Sequence, residues 1–200
     1  MRAVPLDLEE VREGLGVHRG WTRVEAATLS TGFPALNQYL GGGWPDRVFT
    51  ELRLGRTGIG EMRLLMPALS ALSRQYYVLW VAPPYRPYAP ALVAQNMVLN
   101  RLLLARPRTH KEALWAVSQG LLCPSIGAVV SWFSGIREGE FRGLQRRASE
   151  GSHWSFCFLP ESATPQPSHL RLALQSTRGA LRIRVSQKAK RPLPPLVVTL

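Results

Sequence analysis

Hydrophobic and polar positions alternate between two patterns from Arg47 to Leu159. Val48, Thr50, Leu52 and Leu54 mark a strand over Arg47–Leu54, and the more apolar runs Tyr77–Ala82, Arg101–Ala105, Ile126–Trp132 and Trp154–Leu159 read as further strands, the central ones buried on both faces. Between them apolar residues recur at helical spacing. This predicts helices over Glu61–Ser73, over Tyr88–Val98, from the N-cap Thr109 to about Leu121, and over Glu138–Glu150, which Gly151 ends. Pro67 is the one internal objection to the first of these. After the loop Glu161–Ser168 the period becomes two: Leu170, Leu172 and Leu174 face one way, and beyond an Arg178-Gly179 turn so do Leu181, Ile183 and Val185. The expected fold is therefore α/β, a mostly parallel sheet flanked by helices, with a C-terminal antiparallel hairpin. Three regions follow: an N-terminal arm and lead-in over 1–45, a core with its hairpin over 46–186, and a Pro-rich basic tail over 187–200. Asp7–Gly16 reads as a short amphipathic helix, and Leu196–Leu200 as an edge strand for this sheet or for a partner's.

Composition adds that the chain can bury a core, since 46% of its 200 residues are hydrophobic and 19% charged. The net charge of +12 is unevenly placed. Residues 1–60 balance, whereas Arg171, Arg178, Arg182, Arg184, Lys188, Lys190 and Arg191 occupy a stretch from 171 to 200 that holds no acid. Such a strip attracts phosphates, as in DNA, or an acidic protein face, and it also keeps a chain in solution. Arg142, Arg146 and Arg147 are interleaved with Glu138, Glu140 and Glu150 and read as a solvated helix face. Two cysteines, Cys123 and Cys157, make no disulfide framework, and the early acids Asp7, Glu9, Glu10 and Glu13 argue against a secretory signal. No apolar run reaches membrane-spanning length, so a reduced cytoplasmic setting without a membrane role is expected. His18, His110, His153 and His169 are scattered away from any metal or triad spacing, and Ser131, Ser134 and Cys123 stand beside no base in a recognisable motif.

One spacing carries chemistry. Gly55-Arg56-Thr57-Gly58-Ile59-Gly60 follows a strand and precedes a helix, which is the context of a phosphate-cradling P-loop. The next two residues should be Lys and Ser or Thr; they are Glu61 and Met62. A carboxylate facing a phosphate at about 4 Å is repelled by roughly 4 kcal/mol at an effective dielectric near 20, and a thioether gives Mg²⁺ no hard ligand. A nucleotide in the usual pose, and hence a cofactor, is not expected. A second loop, Pro83-Pro84-Tyr85-Arg86-Pro87-Tyr88, leaves the C-terminal end of a central strand, the side on which open α/β sheets bind ligands. Tyr85, Arg86 and Tyr88 there either grip a partner or a base, or pack on the sheet edge.

Ser30-Thr-Gly-Phe-Pro-Ala-Leu-Asn37, then Leu40-Gly-Gly-Gly-Trp-Pro45, the strand and the altered loop together resemble the start of a RecA-type recombinase core. Within that superfamily, Gly58-Ile-Gly-Glu-Met-Arg-Leu-Leu-Met-Pro-Ala-Leu69, Leu79-Trp-Val-Ala-Pro-Pro-Tyr-Arg-Pro-Tyr-Ala-Pro-Ala-Leu92 and Lys111-Glu-Ala-Leu-Trp-Ala116 are similar to the ImuA family of translesion-synthesis proteins and to its relatives, the SulA cell-division inhibitors. The resemblance spans roughly residues 28–185. It implies a RecA-like P-loop core whose Walker B acid corresponds to Ser131 and whose catalytic Glu falls in Ala82-Pro83-Pro84, so that no catalytic residue remains. It implies an SOS-induced, non-enzymatic accessory protein that works with an ImuB-like Y-family polymerase homologue and indirectly with an error-prone C-family polymerase, with RecA and DNA as further contacts. The Asp7–Gly16 helix is expected to fold on the chain's own core, with docking on a neighbour, as the resemblance suggests, the alternative. The Ser30–Pro45 lead-in and the basic end fit ImuA better than SulA, whose target is FtsZ.

Overall fold

The computed structural model describes residues 18–19, 27–151, 153–187 and 194–200. The elements run β1 (His18–Arg19), β2 (Ala27–Leu29), α1 (Pro34–Leu40), β3 (Trp44–Pro45), β4 (Phe49–Leu54), α2 (Glu61–Ser73), β5 (Tyr77–Val81), α3 (Ala89–Ala94), a 3-10 turn (Leu99–Arg101) and β6 (Leu102–Ala105). There follow α4 (His110–Leu122), β7 (Ile126–Trp132), α5 (Glu138–Glu150), β8 (Trp154–Pro160), β9 (Leu170–Thr177), β10 (Ala180–Gln187) and β11 (Leu196–Thr199). The Asp7–Gly16 segment lies outside the described residues.

Eight strands form one sheet in the order β11-β10-β9-β4-β8-β7-β5-β6. Six neighbouring strands, from β9 to β6, run parallel, and β10 pairs antiparallel with both β9 and β11. The chain is thus α/β with a mostly parallel sheet. Leu196–Leu200 resolves in favour of its own sheet, where Val198 pairs with Leu181. β1 to β3 form a separate small sheet.

Each central strand feeds two cores because successive side chains point to opposite faces. Val130, Trp80, Phe156 and Leu52 meet α2 through Leu64, Leu65, Leu69 and Leu72, together with Leu29, Leu36 and Trp44 from the segment before β4. Val129, Leu79, Cys157 and Phe49 meet α4 and α5 through Val117, Leu121, Phe141 and Leu144. Rings lock each layer, Trp44 edge-on to Phe156 and Phe49 tilted on Phe141, both at 5.2 Å between centroids. α2 runs through Pro67 unbroken. An internal proline costs about 3 kcal/mol, whereas its four fully buried leucines contribute about 1.5–3 kcal/mol each.

One expectation is corrected. The helix expected over Tyr88–Val98 is reduced to Ala89–Ala94, because Asn96 takes a left-handed conformation (φ 62°) and the Met97 N–H turns back to the Leu92 carbonyl. Ser73 Oγ then accepts from the Val98 N–H at 3.0 Å, fixing the exit towards β6. The Ser-Thr-Gly segment has a physical task as well: Thr31 N–H donates to Asn37 Oδ1 at 2.8 Å and Asn37 Nδ2 donates to Ser30 Oγ at 3.0 Å, clamping α1 to the end of β2. The three glycines after α1 all have positive φ, and a Cβ on Gly43 would lie 2.2 Å from the Leu29 carbonyl oxygen.

Candidate functional site

β4 ends at Leu54, and the chain turns through residues 55–60 into α2, with Gly58 at φ 80° and Gly60 at φ 97°. Left-handed glycines in such a loop aim successive backbone N–H groups at one point, as an oxyanion cradle requires. The cradle is occupied from within. Glu61, the first residue of α2, accepts from the Gly58 N–H at 2.9 Å and from the Ile59 N–H at 2.8 Å, one bond to each carboxylate oxygen. Its side chain is buried, and it sits where the helix dipole favours negative charge. Met62 packs against the α2-side core. A Cβ on Gly60 would lie 2.5 Å from Leu200 Cδ1, so the residue that follows β11 is seated on the turn; Gly55 lies beside the Glu161 carboxylate.

Ser131, which the resemblance aligns with a Walker B acid, is fully buried, and its hydroxyl donates to the Phe156 carbonyl at 3.3 Å. It lies against Cys157, whose thiol is pushed up chiefly by burial. Ala82, the first residue of the Ala82-Pro83-Pro84 segment with which the resemblance aligns a catalytic Glu, holds φ 56°. Beyond it the Pro-rich loop presents its rings, since Tyr85 is 67% and Tyr88 71% exposed, so packing on the sheet edge is excluded. Tyr85 OH lies 3.3 Å from Thr57 Oγ1 and joins that loop to the altered P-loop, with Arg86 exposed beside it. Between the two loops, at the C-terminal ends of β4, β5, β7 and β8, is a cavity of about 330 Å³ lined mainly by apolar groups.

The basic strip divides. Arg182 and Arg184 project into solvent from β10, whereas Arg171 turns inward, donating from Nε to Glu51 Oε2 at 2.8 Å and from its other end to the Gln166 carbonyl. Lys188, Lys190 and Arg191 lie outside the described residues. The inward turn is explained by a buried ion cluster that sequence reasoning missed. Glu51 on β4 also takes Arg53 Nη1 at 2.9 Å and Ser168 Oγ at 2.8 Å, and Arg53 reaches the carbonyls of Glu161 and Ala163. The available signal was two charges alternating with apolar residues inside a central strand, Glu51-Leu52-Arg53-Leu54.

No protein-family model matches the chain, and no curated protein is significantly similar to it. Among the described residues no helix is long and apolar enough to cross a membrane. What the site can do follows from its own atoms: the N–H groups of the loop after β4 hold Glu61, the Ser131 hydroxyl is bonded to a backbone carbonyl, and the crevice above the sheet is lined mainly by apolar groups.

Proposed function

We propose that this chain is a non-catalytic accessory protein of translesion DNA synthesis, of the ImuA kind. On this reading a RecA-like core keeps its frame as a scaffold for an ImuB-like polymerase homologue, an error-prone C-family polymerase and RecA, with DNA near the basic hairpin. The observation that carries the reading is the Glu61 carboxylate bonded to the Gly58 and Ile59 N–H groups. A triphosphate would have to expel a buried, doubly bonded anion from the place it needs, against like-charge repulsion. The strand–loop–helix context of that turn and the mostly parallel sheet support a RecA-like ancestry.

The test is co-purification of the full chain with the ImuB-like protein and with RecA, alongside titration with mant-ATP. Complex formation without nucleotide binding is the expected result. ATP hydrolysis by the unmodified chain, or failure to retain either partner, would overturn the reading; filamentous cells on expression would replace it with the SulA alternative.

A further inference from the structure

We propose that the crevice above the sheet is an anchor pocket for one aromatic side chain of a partner protein, presented beside a carboxylate. This deepens the scaffold reading and rests on it. Leu54, Pro84, Trp132, Phe133, Phe158 and Leu159 form most of the wall, with Ala82 contributing from a left-handed conformation (φ 56°). A non-glycine residue held there is strained backbone on the pocket wall, a feature that collects at binding sites. The volume of about 330 Å³ lies at the small end for ligand sites and suits an indole or phenyl group with its first backbone atoms.

The wall is preformed. Trp132 stacks on Phe158 at 5.1 Å with 21° between planes and meets Trp80 edge-on at 5.8 Å. These rings stand at the ends of parallel strands, so little ordering remains to be done on binding. Glu61 takes the Gly58 and Ile59 N–H groups that a phosphate would need, and the polar side chains of the lining are Arg56, Thr57 and Ser134. Arg56 lines the pocket and is exposed, Arg86 is exposed two residues beyond the lining Pro84, and Glu161 lies beside the lining Gly55; two cations against one acid leave a positive surplus that complements a carboxylate next to the anchor. A nucleobase fits less well. Single strands bind on open aromatic platforms in basic grooves, whereas here the Trp132 and Phe158 rings are stacked on each other within a concave wall, the form that receives a protein anchor.

The experiment is an amide NMR titration of the full chain with N-acetyl-Trp-Glu-amide, with N-acetyl-Ala-Glu-amide and adenosine monophosphate as comparisons. The Trp dipeptide should shift Gly55, Thr57, Ala82 and Ser134 with a millimolar Kd, while the Ala dipeptide leaves them in place. Ser134→Phe, at an exposed lining position, should weaken binding at least tenfold by filling the mouth, and Arg86→Ala about threefold. Absence of shifts at these residues, equal shifts with adenosine monophosphate, or an unchanged titration in Ser134→Phe would overturn the proposal. None of these readouts involves the ImuB-like protein or RecA, so failure here and failure of co-purification are separate results.

Discussion

Glu61 replaces two partners at once: it neutralises the N-terminal end of α2 and fills the loop that the glycines shape. Removing it leaves the Gly58 and Ile59 N–H groups of a part-buried turn without their acceptor. Glu61→Ala is therefore expected to destabilise the fold by about 1–2 kcal/mol, the range for loss of a helix N-terminal acceptor. Because the emptied cradle suits a tetrahedral oxyanion, added sulfate should restore part of that loss in the variant and little in the parent, as read by urea midpoints. The sequence shows that the lysine is gone; that the carboxylate folds back onto Gly58 and Ile59 depends on the turn's three-dimensional path and was not legible. The two thiols differ in the same physical way. Burial pushes Cys157 up and hides it, whereas Cys123 lies at the end of α4 and is partly exposed. Ellman's reagent should titrate one thiol in the native protein and a second on unfolding.

At the scale of elements, β7, α2 and α5 keep the limits their patterns predict, and Thr109 caps α4 as expected, accepting from the Glu112 N–H at 3.1 Å. These elements have strong local determinants: a run buried on both sides, a glycine-bounded start, an N-cap. α3 was overread because its apolar spacing continues past Asn96, where backbone conformation rather than side-chain pattern ends the helix. The start of α5 adds a pH signature. Side-chain hydrogen bonds from Arg137, opposed by desolvation and aided by the Arg137 backbone N–H and by His110, hold Glu140 at about 2, against 4.5 ordinarily. A carboxylate depressed on folding adds stability that is complete above its unfolded value and disappears as pH falls through the folded one. Glu140→Gln should thus lower the urea midpoint at neutral pH, and the gap to the parent should close between pH about 4.5 and about 2. A gap unchanged across that window would show that the ion pair is not its source.

For the whole molecule, the charge surplus is not a single surface. The strip from 171 to 200 looks continuous in sequence, yet β9 and β10 send alternate residues to opposite faces, and Glu51, 120 positions from Arg171, draws that residue inward. A pairing over such a separation cannot be read from local pattern, although the placement of Arg182 and Arg184 opposite Leu181 and Ile183 could be. The two kinds of arginine should separate experimentally. Replacing both Arg182 and Arg184 with Gln removes exposed charge, so stability should stay within about 0.5 kcal/mol while elution from heparin moves to clearly lower salt. Arg171→Gln removes one of two cations on a fully buried carboxylate. Arg53 remains bonded to Glu51, which keeps the loss below the 3–5 kcal/mol of a buried ion left alone; about 1–3 kcal/mol is expected, with elution nearly unchanged. If Arg171→Gln instead shifted elution as far as the double variant with no loss of stability, Arg171 would belong to the outer surface and the inward cluster would not hold in solution.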